Sequence, residues 1–480
     1  MGQKRVLAGY EPAALFEYFE DISAIPRGSG NEAGIAAYLC AFAEKTGLEY
    51  HTDALHNVLI RKPASPGFEA HPPVILQGHT DMVCEKNADV AHDFLRDGLR
   101  LRVDGGWLSA EGTTLGGDDG AAVAMMLAIL GDEKAEHPAL ECVFTVQEET
   151  GMDGAVGFDW SLVRGRTMIN LDSETPGVAT VSCAGGATGS IRFSAEAQPV
   201  GGRALRVSVT GLAGGHSGAD IHLGRANAIL TLCRILSETA EKTPLRLGSL
   251  NGGNKSNAIP RECDAVIAVE DAAEARAQIA AAAERVRNEL CAADAGFSVK
   301  TEDAPAEEAL SAEDTRRILA FASLVPNGVQ SRTPDVPELV ESSSSLGIVR
   351  TEAGETVFTV MPRSSAESRL DLIIRKISLL AGLLGAQADF VDRYPGWEYA
   401  PASRVRDVYL AAYRETTGTE ARVEAIHAGL ECGVIGQKLG GMDAVSIGPD
   451  LRDIHTPDER MQLDSFAETF ALVKRMLAML

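Results

Sequence analysis

The sequence predicts an α/β domain, with a mixed, mostly parallel β-sheet flanked by helices, into which an α+β domain is inserted. Up to about residue 184, short apolar strand-like runs alternate with helical patterns, which is typical of a sheet covered by helices. After that point the strand-like runs become longer and alternate between polar and apolar residues, and near residue 396 the first pattern returns. We therefore predict a first domain of residues 1–184 and 396–480 and an inserted domain of residues 185–395.

The first domain opens with two predicted helices, EPAALFEYFEDISAI and NEAGIAAYLCAFAEKTG, both of which have apolar residues at helical spacing. Runs rich in β-branched and aliphatic residues predict strands at residues 57–62, 72–79, 99–104, 141–147 and 167–172. Residues 118–132 form an apolar run with acidic residues at its start, as a buried helix would. Strands that alternate with helices in this way imply a largely buried sheet.

The inserted domain shows two rounds of strands and helices with an antiparallel character, introduced by the glycine-rich run CAGGATGS. Strands are expected at residues 189–198, 203–212, 245–250, 263–270, 297–303 and 355–363, and helices at 225–238, 272–291, 311–324 and 366–384. After YPGWEYAP the first domain resumes with a helix at 403–416, a strand at 443–448 and a C-terminal helix at 465–480.

The composition is that of an ordinary globular protein, and the charge restricts the class of partner. Of the 480 residues, 45% are hydrophobic and 23% are charged. Asp and Glu outnumber Lys and Arg by 68 to 44, and the net charge of −24 argues against nucleic acid and anionic membranes as partners. No apolar run reaches the roughly 18 residues that a membrane-spanning helix needs.

The N-terminus and the cysteines favour a cytoplasmic protein. The first residues contain no apolar segment followed by a cleavage site, and Val6 stands where a myristoylation motif has Ser or Thr. The eight cysteines are scattered, without a CxxC pair, and several lie in apolar segments. In a reducing compartment they are expected to be small buried residues, rather than disulfides or metal ligands.

Two adjacent carboxylates, Glu148 and Glu149, directly follow the apolar run 141–147. Like charges this close repel each other, and each resists leaving water. A solvated turn, or acidic residues at the start of a helix, would explain the pair without any function. Whether the pair has a chemical role therefore depends on residues elsewhere in the chain.

Four further loci of the first domain carry side chains of the types that bind metals in proteins. His79 and Asp81 follow one strand and share a face if that strand continues. Asp118 lies in a glycine turn, Asp172 ends a strand, and His455 lies in a loop near the C-terminus. Each alone fits an ordinary role, such as a helix N-cap or a loop histidine. Together they suit two metal ions, about 3.5–4 Å apart and bridged by one carboxylate, at the carboxyl ends of the strands.

The motifs that hold these residues resemble those of a known enzyme family. GHTDMV, TLGGDDG, VQEETGMDGA, NLDSE and GGHSG occur in the order found in the co-catalytic di-zinc exopeptidases, a family that also includes aminoacylases. CAGG, GGHSGADIH, NGGNKSNAIPRE, YPGW, IHAGLECG, DAVSIGP and HTPDE are similar to the bacterial cytosolic aminoacyl-histidine dipeptidases, also called non-specific or Xaa-His dipeptidases. The resemblance runs from about residue 10 to the end of the chain.

The resemblance implies a ligand set for two divalent metal ions per chain, expected to be Zn, with Mn or Co as alternatives. His79, Asp118 and Asp172 would hold one ion. Glu149, His455 and the shared Asp118 would hold the other.

The resemblance also assigns two residues that bind no metal. Asp81 would orient His79, and Glu148 would be the general base that takes a proton from the metal-activated water and passes it to the leaving amine. One position departs from the subgroup, because Asp119 stands where Asn is frequent. The extra charge could shift the metal preference, but we do not expect Asp119 to be a ligand.

The inserted domain resembles the family's lid, and it supplies further candidates. His216 would stabilise the oxyanion of the tetrahedral intermediate, although a glycine-flanked histidine could also only mark a turn. Asn257 and Arg363 match lid positions that hold the oxyanion or the substrate carboxylate, and the fork of Arg suits a carboxylate. Gly429 and Glu431 are expected to line the substrate pocket.

The sequence therefore predicts a metal-dependent dipeptidase of broad specificity that includes Xaa-His dipeptides, and the chain is expected to form a homodimer. An N-acyl amino acid deacylase on the same scaffold is the nearest alternative. A non-catalytic metal-binding relative is a second one, although the presence of Glu148 argues against it. The run AGGATG is neither a GxGxxG motif nor a P-loop, so a nucleotide-binding protein is excluded.

Overall fold

The structure is a computed structural model that describes residues 5–200, 203–305, 308–333, 336–352 and 354–480. The chain divides into two compact units. The first unit comprises Met1–Ser182, Tyr399–Ala425 and Leu430–Leu480, and the second comprises Cys183–Glu398 and Ile426–Gly429. Residues 183–184, 396–398 and 426–429, which the sequence pattern predicts in the first domain, cluster with the second unit.

The N-terminal part of the first unit alternates between helices and strands. Its elements are α1 (Ala13–Ser23), α2 (Ala33–Thr46), α3 (Gly117–Gly131), α4 (Glu148–Gly151), α5 (Asp153–Gly157), β1 (Glu49–Thr52), β2 (Val58–Lys62), β3 (Val74–His79), β4 (Leu101–Asp104), β5 (Trp107–Ala110), β6 (Leu140–Thr145), β7 (Thr167–Asn170) and β8 (Val178–Cys183).

The second unit is built mainly of long strands and four long helices. Its elements are α6 (Ala228–Ala240), α7 (Ala272–Arg287), α8 (Ala312–Leu324), α9 (Glu367–Leu383), β9 (Gly185–Ser194), β10 (Gln198–Pro199), β11 (Arg203–Thr210), β12 (Gly215–His216), β13 (Leu245–Gly252), β14 (Ala258–Ile259), β15 (Cys263–Val269), β16 (Ser298–Ala304), β17 (Glu308–Ala309), β18 (Gly328–Thr333), β19 (Val336–Glu352), β20 (Glu355–Ser364) and β21 (Gln387–Tyr394).

The C-terminal part of the chain returns to the first unit. Its elements are α10 (Arg404–Thr417), α11 (Glu431–Lys438), α12 (Leu463–Leu477), β22 (Arg422–Ile426), β23 (Asp443–Ser446), β24 (Leu451–Arg452) and β25 (Arg460–Gln462).

The main sheet of the first unit has eight strands in the order β1-β2-β6-β3-β7-β23-β8-β22. The four central strands β6, β3, β7 and β23 run parallel, whereas β1, β2 and β8 pair antiparallel with their neighbours. The sheet is therefore mixed, with a parallel centre, and the predicted fold class is confirmed. The parallel centre matters for function, because it brings the carboxyl ends of β6, β3 and β7 to one edge.

Helix α3 lies in the hydrophobic core of the first unit and packs against α1 and β3. Its sequence is apolar on every side, and such a helix is stable only when it is buried all round. Phe16 and Phe19 of α1 meet Phe466 of α12 edge to face, with ring centroids 5.6 and 5.8 Å apart. The helix whose start carries Asp118 is thus held in the hydrophobic core of the unit.

The predicted strand 99–104 does not join the main sheet. It contributes β4, which pairs with β5 in a separate four-stranded sheet of order β24-β25-β5-β4. The residue pattern identifies a strand but does not identify its partner, and β4 alternates between half-buried and exposed residues as a strand with one covered face does.

The second unit has a nine-stranded sheet whose strands pair antiparallel. Eight strands follow the order β16-β11-β15-β13-β19-β20-β9-β21, and β18 pairs with β19 beside this path. Its own hydrophobic core includes buried residues of α6, α7, α8 and α9. Phe193, Phe321 and Phe358 form an aromatic cluster there, with ring centroids 5.0 to 6.0 Å apart.

No helix within the described ranges is both long and apolar enough to cross a bilayer.

Candidate metal centre and active site

Three neighbouring strands and one helix carry candidate residues to the same edge of the main sheet. His79 is the last residue of β3, Glu148 and Glu149 follow β6 and begin α4, and Asp172 follows β7. Asp118 lies at the start of α3. Because β6, β3 and β7 are adjacent and parallel, their carboxyl ends meet. All these residues belong to the first unit.

The ring of His79 is buried and lies between carboxylates. Its Nε2 is 3.0 Å from Asp118 Oδ1 and 3.5 Å from Asp172 Oδ1, and its Nδ1 is 3.3 Å from Asp81 Oδ1. Burial by itself would lower the pKa of His79, but Asp172 and Asp118 outweigh it and raise the pKa well above its usual value. The site therefore favours a positive charge at Nε2, which is what a bound metal ion supplies.

Asp118 faces two histidines at once. Its Oδ1 is turned to His79, and its Oδ2 lies 3.2 Å from His455 Nε2. The same nitrogen of His455 is 3.0 Å from Glu149 Oε2. Burial opposes ionisation of Asp118, but its bonds to His455 and His79 lower its pKa below the usual range. Asp118 is thus an ionised carboxylate with one oxygen directed to each of two donor groups.

Three groups of side chains have ligand atoms within 4.8 Å of one another. They are His79 with Asp118 and Asp172, Asp118 with Glu149 and His455, and His79 with Glu148 and Glu149. The first two groups are the two predicted ligand sets, with Asp118 shared.

The chemistry of these groups fits divalent metal ions. Imidazole nitrogens and carboxylate oxygens are the ligands that Zn accepts at four-coordinate sites. Glu149 Oε1 is buried and has no hydrogen-bond partner, and a buried carboxylate oxygen is stable only when something offsets its charge. A cation at this position would satisfy that oxygen.

Asp81 holds more than the ring of His79. Its carboxylate accepts hydrogen bonds from the backbone N–H of Glu148 at 3.1 Å and of Glu149 at 3.4 Å, and from the hydroxyl of Ser29 at 2.7 Å. Burial by itself would raise the pKa of Asp81, but the hydrogen bond to His79 outweighs burial and lowers this pKa. A single ionised carboxylate therefore orients His79 and also fixes the backbone of the adjacent glutamates.

Glu148 lies beside the ligand atoms of His79 and Glu149. Burial raises the pKa of Glu148 well above its usual value, and the negative charges of Asp172, Glu431 and Glu149 add to this effect. A carboxyl group in this environment has an increased affinity for a proton, as a general base needs.

Asp119 belongs to none of the three ligand groups, and its carboxylate serves the backbone. Its Oδ2 accepts the N–H of His79 and its Oδ1 accepts the N–H of Ala122, both at 3.3 Å. Burial raises the pKa of Asp119 well above its usual value, and Asp172 contributes in the same direction. The side chain links the end of β3 to the first turn of α3.

Two buried charged residues, to which the sequence motifs assign no role, bind the backbone next to the ligands. Glu459 accepts the backbone N–H groups of Leu115, Gly116, Gly117 and Asp118. Arg27 donates to the carbonyl oxygens of Thr80, Asp81 and Gly116. Both residues bind backbone atoms, which every residue type offers. The sequence around the contacted atoms therefore does not indicate Glu459 or Arg27.

The loop that carries His455 is supported by stacked arginines. His455 and Asp453 have positive φ angles of 61° and 54°, and Arg460 binds the carboxylate of Asp453 at 2.9 Å. The guanidinium groups of Arg452 and Arg460 lie 4.8 and 5.4 Å from the centre of the Trp107 ring. Trp107 of β5 therefore supports a loop whose backbone conformation is unusual for residues other than glycine.

His216 belongs to the second unit, and its surroundings determine its tautomer. Backbone N–H groups of Gly218 and Ala219 donate to His216 Nδ1 at 3.2 and 2.9 Å. Burial lowers the pKa of His216, and the positive charge of Arg363 adds to this effect. The ring is therefore neutral, with its proton on Nε2, and Nε2 is a hydrogen-bond donor.

Arg363 is a buried cation of the second unit, with a relative exposure of 4%. It donates to the hydroxyl of Tyr394 at 2.7 Å and to the sulfur of Met361 at 3.2 Å, while its Nε is buried without a partner. Within the part of the chain that the structure describes, no carboxylate forms an ion pair with it. A buried guanidinium without an anion is costly, so this position suits the carboxylate of a bound ligand.

His427 also belongs to the second unit, and it lies in the motif IHAGLECG, where the sequence predicts no role for it. Its Nε2 lies 2.7 Å from the Ser343 hydroxyl. Ser343 in turn stands opposite Arg363 in the register of β19 and β20. Burial and the positive charge of Arg363 lower the pKa of His427 to about 3. The ring is therefore neutral, and the positive charge for an anion comes from Arg363.

The remaining predicted pocket residues have different environments. Asn257, in the second unit, is exposed, and its carbonyl accepts the N–H of Ser217, next to His216. Gly429 also belongs to the second unit.

Glu431 is fully buried in the first unit. Its Oε2 accepts hydrogen bonds from Gln77 at 2.5 Å and from Thr145 at 2.7 Å, and its Oε1 has no partner. Burial raises the pKa of Glu431 to about 7. The polar groups behind the end of β3 thus form a network with one unsatisfied carboxylate oxygen.

Comparison with known proteins places the chain in a family. Residues 207–295 match the model of a peptidase dimerisation domain. The chain is 35% identical to the cytosol non-specific dipeptidase of Escherichia coli K12 over 476 residues, which cover 98% of both proteins. It superimposes on the crystal structure of aminoacylhistidine dipeptidase from Vibrio alginolyticus with a TM-score of 0.94 and 33% identity, over 99% of this chain and 98% of that one.

A more distant similarity concerns the fold alone. The structure of aminopeptidase PepT from Bacillus cereus covers 97% of both chains with 17% identity and a TM-score of 0.55. The identity and coverage with the first two relatives confirm the resemblance read from the motifs. The chain belongs to the M20 metallopeptidases, within the family of the cytosol non-specific dipeptidases.

Proposed function

We propose that the chain is a metal-dependent dipeptidase that hydrolyses unblocked dipeptides, Xaa-His dipeptides included. The observation that carries the proposal is Asp118, whose two carboxylate oxygens are directed to two different histidines. Such an arrangement suits a carboxylate that bridges two metal ions. The names of the relatives from Escherichia coli and Vibrio alginolyticus supply the substrate class.

In this proposal His79, Asp118 and Asp172 hold one ion, and Asp118, Glu149 and His455 hold the other. The donors favour Zn, with Mn or Co as substitutes. When bound, two such ions lower the pKa of a water molecule and polarise the carbonyl oxygen of the peptide bond. Asp81 keeps the proton of His79 on Nδ1, so that Nε2 offers a lone pair.

Glu148 is the proposed general base. Its carboxylate would take the proton from the attacking water and hold it while the carbon–nitrogen bond weakens, and burial favours the protonated form of Glu148. It then donates this proton to the leaving amine, so one carboxyl group acts first as base and then as acid. Glu149 differs in that its Oε2 is directed to His455, away from this transfer.

Residues of the second unit are proposed to bind the substrate and the oxyanion, which gives this unit the role of a lid. His216 offers an Nε2–H donor to a developing negative charge. Arg363, a buried cation without an anionic partner, would bind the α-carboxylate of the dipeptide. Asn257 would assist with the oxyanion or the carboxylate, and Gly429 and Glu431 would line the pocket.

The proposal extends to assembly and location. The match of residues 207–295 to a dimerisation domain supports a homodimer, and the name of the Escherichia coli relative supports a cytoplasmic location.

A substrate panel tests the proposal against its alternatives. Purified protein should be incubated with free dipeptides, with the corresponding N-acetyl amino acids and with dipeptides blocked at the amino end, while its metal content is measured. The expected result is hydrolysis of the free dipeptides only, with close to two ions per chain. Preferential hydrolysis of N-acetyl amino acids would identify a deacylase. Bound metal without any hydrolysis, and Glu148→Gln indistinguishable from the wild type, would identify a non-catalytic metal-binding protein.

A further inference from the structure

We propose that Glu459 and Arg27 are positioning residues that fix Asp118 from behind, and that they thereby set the affinity of both metal positions together. This inference rests on the proposed function, because it concerns the ions that Asp118 would share. We call the two residues, with the backbone groups that they bind, the Asp118 clamp.

The first half of the clamp is the carboxylate of Glu459. Its Oε2 accepts the N–H groups of Leu115 and Gly116 at 2.7 and 2.9 Å, and its Oε1 accepts those of Gly117 and Asp118 at 2.7 and 3.3 Å. One side chain, 341 residues away from Asp118 along the chain, thus satisfies four consecutive backbone donors. Its exposure is 2%, so water does not compete for these bonds.

The start of α3 needs such a partner because it does not begin as a regular helix. Asp118 and Asp119 have non-helical dihedral angles, and Gly116, at the N-cap position, has no side chain that could accept the N–H groups of Leu115 to Asp118. Backbone N–H groups that lack a partner in the interior cost free energy. Glu459 supplies the missing acceptors, and it therefore determines the path of the segment from which the Asp118 carboxylate projects.

The second half of the clamp is the guanidinium of Arg27, which is buried with a relative exposure of 2%. It donates to the carbonyl of Gly116 and to the carbonyls of Thr80 and Asp81, the latter two at 3.0 and 3.1 Å. Arg27 thus joins the loop after β3, which follows His79, to the loop before Asp118. Its positive charge also lies near the carboxylates of Glu459, Asp81, Asp119 and Asp118.

Two glycines allow the backbone to approach the guanidinium of Arg27 closely. A Cβ atom added to Gly116 would lie 2.5 Å from Arg27 Nη2, and one added to Gly120 would lie 2.6 Å from the same atom. Gly116 also has a φ angle of +63°, which glycine adopts without strain. The backbone therefore approaches the guanidinium at two points where no side chain would fit.

The shared position of Asp118 gives the clamp a measurable consequence. A change that affects His455 or Glu149 alone should weaken one metal position. A change that displaces Asp118 should weaken both, because each of its oxygens is directed to a different histidine. Residues that support metal ligands typically change metal affinity by about 10–100-fold when they are replaced.

The test is Glu459→Gln, because the Gln amide has the shape of the carboxylate but only one acceptor oxygen. Two of the four N–H groups then face an NH₂ group. The metal-free wild type, Glu459→Gln and His455→Ala are each titrated with buffered Zn, and the ions bound per chain are counted. We expect the dissociation constants of both ions to rise by about tenfold or more in Glu459→Gln, whereas His455→Ala should lose one ion and keep the other.

The matched control is Glu141→Gln. Glu141 is also a buried glutamate of the first unit, and it accepts the backbone N–H groups of Arg164 and Gly165 at 2.9 and 2.7 Å. Its replacement should lower the melting temperature of the metal-free protein to a similar degree and leave both dissociation constants unchanged. The comparison separates loss of stability from loss of positioning.

Three outcomes decide the matter. If the wild type binds no metal, the proposed function fails. If the wild type binds two ions and Glu459→Gln binds them with unchanged affinity, or loses only one, the clamp is refuted while the function stands. Should Glu459→Gln fail to fold, Arg27→Lys replaces it, because Lys keeps the charge but cannot reach three carbonyls at once. Unchanged affinities in that variant would equally refute the clamp.

Discussion

Glu148 and Glu149 are neighbours in the sequence, yet their side chains have different partners. The backbone N–H groups of both donate to Asp81, so a third carboxylate holds the pair in place. Glu149 is directed to His455 at 3.0 Å, whereas burial gives Glu148 a raised pKa. The two negative charges thus lie in a site that favours cations. Their different partners support different roles for the two residues.

We expect substitutions to separate these roles. Glu148→Gln keeps the shape of the side chain and removes the proton acceptor, so kcat should fall by about 10²–10⁴-fold while the metal content stays normal. Glu149→Ala should lose one ion, and excess Zn should restore part of it. The measurement is metal stoichiometry beside kcat for both variants. If Glu148→Gln loses metal and Glu149→Ala keeps it, the assignment is reversed.

Arg363 should determine the need for a free substrate carboxylate. Arg363→Lys retains the charge but loses the bidentate geometry, so KM for free dipeptides should rise by about tenfold or more, which corresponds to about 1.4 kcal/mol of binding free energy, with a smaller change in kcat. Steady-state kinetics with free and C-terminally amidated dipeptides provide the measurement. Equal hydrolysis of both by the wild type would contradict this role.

At the scale of elements, the contact between β3 and α3 controls how closely the ligands approach. Gly78 precedes His79 in β3, and a Cβ atom at Gly78 would overlap the side chains of Ala122 and Asp119. The absence of a side chain at Gly78 therefore lets the start of α3 lie against the strand. This close approach keeps Asp118 within reach of His79.

Gly78→Ala should push the two elements apart. Overpacking of this kind costs about 1–3 kcal/mol of the free energy of unfolding, and the displacement should also weaken metal binding. Thermal melting of the metal-free variant and a Zn titration are the measurements. Gly436→Ala in α11 is the control, because its Cβ would lie at an ordinary 3.5 Å from Met442 Cε. If both variants behave alike, the β3–α3 contact has no special role.

The sequence predicts these elements better than it predicts their partners. His79 and Asp172 could be found because each ends an apolar strand-like run, where α/β sheets bind ligands. Asp118 could be found because it lies in a glycine turn at the start of an apolar helix. The sequence indicates strand 99–104 but not its separate sheet, because β24 and β25, which complete that sheet, come from the C-terminal part of the chain. Glu459 and Arg27 could not be found, because they bind backbone atoms that any sequence would offer, at separations of up to 344 residues.

At the scale of the whole molecule, each of the two units has its own hydrophobic core, and the proposed metal ligands all lie in the first. Without cations, the ligand site gathers several buried carboxylates that repel one another. The large negative charge of the chain, −24, adds to the unfavourable field. Metal ions should therefore contribute to stability as well as to catalysis.

Metal addition should raise the melting temperature of the metal-free protein. An ion that binds only the folded state at 100 times its dissociation constant stabilises that state by about 2.7 kcal/mol. His216→Ala, in the second unit, should show the same rise, whereas Asp118→Ala should show little. Scanning calorimetry with and without Zn provides the comparison. A melting temperature that Zn leaves unchanged in the wild type would argue against metal sites in the folded first unit.

The contacts of Trp107 with Arg452 and Arg460 have a practical consequence. Of the three tryptophans, Trp160 and Trp397 are buried, with exposures of 4% and 8%, whereas Trp107 contacts the two arginines that flank the His455 loop. Indole emission is sensitive to a neighbouring charge, so the intensity from Trp107 should follow any movement of this loop. The protein thus contains an intrinsic optical probe beside one of its proposed ligands, and stopped-flow fluorescence could time the loading of that position without a label.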